Sequence, residues 1–213
     1  MCLEVRGLIA VVLHRNTIAG CILMACWAGA SAAEAGLDVS QYRHRSWKIR
    51  QGFVPSAIQT AGQTADGYLW LGTAAGAYRF DGVRAVALKL PKGERLPSDD
   101  IRKLVGARDG RLWLGTAKGM VSWKDGTLTH HPQIDVPEIS TLLEDREGTM
   151  WVGGSAGQTA RLCSIRTAAV QCLGADGSLG RAVHRLYEDG RGRLWVATLE
   201  GVWRWSPGPP SFH

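Results

Sequence analysis

Apolar residues in this chain come in short runs, and nearly every run is cut off by Asp-Gly or by a single Gly. The stretch "DGYLWLGTAAGAYRFDGVRAVAL" (Asp66 to Leu88) shows the pattern at its clearest. Runs such as "YLWLGT" and "AYRF" are rich in aromatic residues and too short for helices, so they predict strands. Glycine accepts positive φ without a Cβ clash, so Asp66-Gly67, Gly76 and Asp81-Gly82 predict three tight turns. Three turns joining four strands make an antiparallel meander.

The phrase returns. Trp70, Trp113, Trp151 and Trp195 follow one another at intervals of 43, 38 and 44 residues. Three positions before each stands a glycine (Gly67, Gly110, Gly148, Gly192), and six positions after stands another (Gly76, Gly119, Gly157, Gly201). Leu69, Leu112, Met150 and Leu194 precede the tryptophans, and Leu71, Leu114, Val152 and Val196 follow them. Twelve positions before each is a β-branched residue: Ile58, Ile101, Ile139 or Val183. A four-stranded unit at such a period reads as one blade of a β-propeller. A lone blade cannot bury both faces, so neighbours stack, with the repeated indole as the spacer between them. Gly72 and Gly115 keep the backbone bare where strands crowd. The fold expected is all-β, with blades over about 53–90, 97–131, 136–174 and 180–212. Four such blades make an open or incomplete ring. A β-sandwich is the competing architecture, but it would not repeat a complete hairpin set. The copies are unequal: blade three has Gly154 where the others carry Thr, and blade four has Ala197 in place of Gly.

Composition agrees with this reading. Among 213 residues there are 27 Gly and 9 Trp, which favours many hairpins around a few large core plates. The net charge of +6 is spread singly along the chain, which argues against nucleic acid as a partner.

Residues 1–33 read differently. Arg6 and Arg15 precede an uncharged stretch, "TIAGCILMACWAGA", and "ASA" (Ala30 to Ala32) supplies small residues for cleavage. This is the pattern of an export signal. An uncleaved membrane tether or a lipoprotein site at "LMAC" are the alternatives. Either way residues 34–213 are expected outside the cytoplasm, periplasmic in a bacterium. Of five cysteines, Cys2, Cys21 and Cys26 lie in this leader, leaving Cys163 and Cys172. "LCSIRTAAVQCL" reads as two strands around Thr167-Ala168, which sets Cys163 opposite Cys172 and within reach of a disulfide. Two buried free thiols are the alternative.

"QTADGYLWLGTAAGAYRFDGV" resembles the two-component regulator propeller repeat, found in tandem in sensor regions of bacterial histidine kinases. "HRSWKIRQGFVPSAIQT" resembles the segment that opens such regions, so the resemblance spans about residues 42–206. It implies a periplasmic sensory input module for signal transduction. In that family a β-domain, a membrane helix and a cytoplasmic kinase follow the propeller, and some members sense polysaccharide breakdown products. The chain ends at "WSPGPPSFH" without a kinase, so it is expected to be the N-terminal fragment of such a sensor, or to find its remaining blades and kinase region in another polypeptide. The expected partners are a small molecule or oligosaccharide and that downstream kinase region. A secreted propeller lyase or hydrolase and a protein–protein scaffold are the alternatives.

Candidate chemistry is sparse. "GGSAG" (Gly153 to Gly157) matches the serine-hydrolase elbow, but its alignment with Gly72 and Gly76 puts Ser155 on a hairpin rather than a strand-to-helix turn. His130-His131 would point to opposite faces of a strand and lack a third ligand, so a solvated strand or turn is expected. Asp99-Asp100 and Glu144-Asp145 lack the calcium-loop pattern. No catalytic, cofactor or metal set is expected. Trp123, Trp203 and Trp205 lie on third strands, where they read as core packing or, less simply, as an aromatic surface for stacking sugars.

Overall fold

The computed structural model describes residues 43–167, 169–205 and 211–212. The expected leader at residues 1–33 lies outside the described residues. Among the described residues, sixteen strands form four antiparallel four-stranded sheets, each a simple meander. Blade one is β1 (Ile58–Gln63), β2 (Leu69–Thr73), β3 (Gly76–Phe80) and β4 (Ala85–Ala87). Blade two is β5 (Ile101–Gly106), β6 (Leu112–Thr116), β7 (Gly119–Lys124) and β8 (Thr127–His130). Blade three is β9 (Glu138–Glu144), β10 (Met150–Ala156), β11 (Thr159–Arg166) and β12 (Ala169–Leu173). Blade four is β13 (Val183–Glu188), β14 (Leu194–Thr198), β15 (Val202–Trp205) and β16 (Ser211–Phe212). The first strands of the blades pack in the order β1, β5, β9, β13, which lays the blades out as an arc of a propeller. No described helix is long and apolar enough to cross a membrane.

Strand alternation explains how the blades stack. On β6 the side chains of Leu112 and Leu114 face blade one and join Trp70, Ile101 and Leu104 in one buried cluster. Trp113, between them, faces the other way into a cluster with Ile139, Met150 and Val152 of blade three. On β10 Met150 and Val152 face back, whereas Trp151 packs forward against Val183, Leu186 and Leu194 of blade four. Every second strand is thus apolar on both faces, which is why "LWL" runs unbroken where a half-exposed strand would alternate. The first face of blade one is covered by the chain that enters it. Trp47 and Phe53 pack edge-on against Phe80, with ring centroids 4.9 and 5.1 Å away, and Val54 is buried beside Leu71.

The glycine two positions after Trp70, Trp113 and Trp151 is a socket. A Cβ built on Gly72 would stand 2.8 Å from Ile101 Cγ2; on Gly115, 2.9 Å from Ile139 Cγ2; on Gly153, 2.6 Å from Val183 Cγ1. Each socket therefore receives the β-branched residue that opens the next blade, and those three residues are fully buried. Ile58, which opens blade one and has no preceding socket among the described residues, is 43% exposed.

The tight turn expected at Asp66-Gly67 is present. Thr64 N–H donates to the Tyr68 carbonyl (3.1 Å) and Gly67 N–H to the Thr64 carbonyl (2.9 Å), with positive φ only at Gly67. This is a three-residue loop ending in a left-handed glycine. After "LWLGT", Thr73 Oγ1 donates to the Gly76 carbonyl (2.9 Å) and accepts from Ala75 N–H (3.0 Å). Thr116 and Thr198 hold the same turn in blades two and four. In blade three a Cβ on Gly154 would collide with the Glu138 carbonyl and stand 2.8 Å from Val136 Cγ1, so threonine does not fit there.

Cys163 and Cys172 are paired directly across β11 and β12 and joined by a disulfide, with Cα atoms 4.1 Å apart.

Candidate functional site

Each first strand carries a β-bulge at the same repeat address, just after its opening β-branched residue. The register slips between Ile58 and Thr60, Ile101 and Lys103, and Val183 and Arg185, and on β9 opposite Gly153 and Gly154. A bulge bends a strand and re-aims its side chains. Here the four bulges surround a cavity of about 520 Å³ to which all four first strands contribute. Blade one supplies Gln59 and Thr60, blade two Lys103 and Leu104, blade three Ser140 through Leu143, and blade four Arg185, Leu186 and Tyr187.

Some of these groups are committed to the fold. Gln59 Nε2 donates to Asp100 Oδ1 (2.8 Å), tying blade one to blade two. Ser140 Oγ donates to the Gly153 carbonyl (3.1 Å) and lies against the Val183 carbonyl of blade four. Lys103 and Arg185 take part in no ion pair among the described residues. Tyr187 is 61% exposed. The cavity wall holds no Asp or Glu.

A second cavity of about 450 Å³ lies between the turns of blades two and three, lined by Lys118, Met120, His130, His131, Ile134 and Val136 among others. The adjacent histidines part company there. His130 is exposed, 3.8 Å from Glu94. His131 is half-buried, its ring 4.8 Å from that of Trp113, which corrects the solvated position expected for it. Burial pushes its pKa below the ordinary 6.5, and the charges of Arg111 and His130 add to this. Arg111 Nη1 donates to Ser122 Oγ (3.3 Å), and the same hydroxyl shares a hydrogen bond of 2.9 Å with His131 Nε2.

Ser155 is buried on β10 and donates to Glu138 Oε2 at 2.7 Å, a strand position with no histidine beside it. No group of three His, Cys, Asp or Glu placed to hold a metal occurs among the described residues. Trp123 packs on Trp70 with ring centroids 5.7 Å apart, between blades one and two. Trp203 and Trp205 are neighbours, 6.2 Å apart, against the core between blades three and four. The three do not come together as one surface.

Sequence reasoning did not foresee the polar partners of three of the repeated tryptophans. Six positions before each, Thr64, Asp145 and Asp189 accept the indole N–H of Trp70, Trp151 and Trp195 at 3.1, 2.7 and 2.9 Å. The Trp195 N–H, with N–H groups of Arg193 and Arg191, holds Asp189 well below the usual carboxylate range. Seven positions before Trp151 and Trp195, Glu144 and Glu188 receive an arginine from the preceding blade. Arg108 N–H donates to Glu144 Oε2 (2.9 Å) and its Nε lies 3.3 Å from the same oxygen. Arg146 N–H donates to Glu188 Oε2 (3.0 Å), with Nε 3.2 Å from Oε1. Both guanidinium groups also donate to carbonyls of the next blade's turn. The recurrence of Arg five and Glu seven positions before tryptophan was the available signal.

No curated protein matches the chain in sequence. Among solved structures it is similar to two from B. thetaiotaomicron. One is the extracellular domain of BT4673, described as a one-component system, at 20% identity and a TM-score of 0.57, covering 73% of this chain and 22% of that one. The other is the extracellular domain of BT3049, described as a hybrid two-component system, at 17% identity and a TM-score of 0.57, covering 70% and 22%. A streptogramin B lyase is similar at 16% identity and a TM-score of 0.57, covering 74% and 54%. The chain thus spans about a fifth of the length of the two extracellular domains, and at these identities the likeness is one of fold. The family model described as "Two component regulator propeller" matches residues 95–118, 134–156 and 177–200, which are the approach and first two strands of blades two, three and four, while blade one lies outside the matched segments. An indole and a bulged first strand recur in all three matched blades, with a glycine socket in blades two and three, and these three segments match the two-component regulator propeller repeat in tandem.

Proposed function

We propose that this chain is an extracytoplasmic sensory segment of a two-component system. It binds a small molecule or glycan and relays that binding to a kinase region outside these residues. The observation that carries the reading is the threefold match to the regulator-propeller model in consecutive blades. The disulfide between Cys163 and Cys172 supports an oxidising compartment, since cytosolic thiols are kept reduced. The cavity ringed by four first strands supports ligand binding, because a ligand there would touch every blade and bias their relative stacking.

The same fold carries a lyase among the similar structures, so the test must register both binding and turnover. The full chain is titrated with a panel of oligosaccharides and sugar acids, following heat release and product by chromatography. The sensory reading expects a ligand that binds unchanged and whose transcriptional response is lost when the gene is deleted. Product formation would replace it with the enzymatic reading, and a deletion strain with an intact response would sink it.

A further inference from the structure

The cavity at the bulged strands has an unbalanced wall. Its two charged residues, Lys103 and Arg185, are both cationic, and neither has a carboxylate partner among the described residues. Elsewhere the chain pairs its arginines freely: Arg102, next to Lys103, is held by Asp100, and Arg193 by Asp189. Lys103 is half-buried on its strand. The two cations come from the same repeat address in alternate blades, whose counterparts are Thr60 and Thr141. Tyr187 adds an exposed ring to the same wall, two residues beyond Arg185 and therefore on the same face of β13.

We propose that this cavity is a binding site for a small carboxylate- or sulfate-bearing ligand, held by Lys103 and Arg185 with a ring or sugar face laid on Tyr187. The guanidinium offers a planar fork for two oxygens and the ammonium a point charge for a third. Thr60 and Thr141 line the same wall from the other two blades. A neutral polyol would leave both cations unanswered, so the anionic group dominates selection. The proposal names a ligand class for the sensory reading and relies on that reading only for the consequence of binding; binding itself is measured on the purified chain.

The full chain is titrated with D-glucuronate, D-glucose and inorganic sulfate by calorimetry at low salt, alongside Lys103→Gln, Arg185→Gln, the double variant, Tyr187→Ala and the distant Lys92→Gln. Glucuronate and sulfate are expected to bind and glucose not. Each cation removed should weaken both anions roughly tenfold, and raising the salt should weaken them further. Tyr187→Ala should weaken glucuronate and spare sulfate, and Lys92→Gln should match the parent. Lys103→Arg with Arg185→Lys keeps the charge and should retain binding, which covers a double variant that fails to fold. Equal affinity for glucose and glucuronate, anion binding undiminished in a folded double variant, or no anion binding at millimolar concentration would each overturn the proposal. An anion that binds without altering transcription would overturn the sensory reading and leave the site standing.

Discussion

At the scale of single residues, stacking depends on absent atoms as much as on present ones. Gly115 is where Ile139 enters, and an added Cβ would stand 2.9 Å from its Cγ2 and 3.4 Å from its Cβ. Both partners are on packed strands, so neither can withdraw cheaply. Gly115→Ala is therefore expected to destabilise by about 1–3 kcal/mol in urea titration. Ala197 occupies the same address in blade four, and Ala197→Gly should cost less than about 1 kcal/mol, through backbone entropy alone. Equal effects at the two addresses would refute the socket account. His131 sets a pH dependence of known sign. Its folded pKa is depressed, so the unfolded chain binds its proton first as pH falls. The stability from the neutral ring is present above about pH 6.5 and is lost as pH falls through that value. His131→Gln should flatten the fall in Tm between about pH 7 and pH 5.

At the scale of elements, the arginine links show why adjacent blades are not equivalent. Arg146 reaches Glu188 and two turn carbonyls of blade four, and Arg108 does the same toward blade three. Between blades one and two Ala65 and Gly106 stand at the corresponding positions, and a Cβ on Gly106 would meet the Gln63 carbonyl and stand 2.8 Å from Thr64 Cα. Glutamate has no room there, so the link is missing for a steric reason. The guanidinium of Arg146 is half-exposed, which screens it. A double-mutant cycle of Arg146→Ala with Glu188→Gln should give a coupling of about 0.5–1 kcal/mol that shrinks in about 1 M salt. A coupling unaffected by salt would mean that packing, not charge, joins the turns. The strands, the blade order and the stacking role of Trp70, Trp113 and Trp151 were legible in the sequence, because period-two alternation and turn glycines act locally. So was the pairing of Cys163 with Cys172, which follows from counting outward from one turn. The arginine links were not, since Arg108 and Glu144 meet only once two blades have stacked. The cavity was hidden for a related reason: each first strand contributes only two to four residues to a wall shared by four strands.

For the molecule as a whole, the main contacts between blades among the described residues run between successive ones, so stability should be distributed along the arc like that of a linear repeat protein. Blades two and three each bury two faces against other blades, whereas blades one and four each bury one. The strands reflect this. β6 is buried along its whole length, while β1 and β4 have mostly exposed or half-exposed side chains, and so does β15 of blade four. Blade one also lacks the arginine link to its neighbour. Amide exchange in rising urea should therefore release β1 and β4 first, β15 next, and β6, β10 and β11 only with global unfolding. The disulfide closes a short loop within blade three and should contribute about 2–3 kcal/mol, mainly by restricting the unfolded chain. Reduction should lower the urea midpoint while leaving blade one as the earliest to open, because the bond lies two blades away from it. Uniform release of all four sheets at one urea concentration would show a single cooperative unit, and a ligand gripping all four first strands could then act only by stabilising the whole arc. Graded release would leave the end blades free to shift against a fixed centre, which is the motion a relay from the central cavity requires.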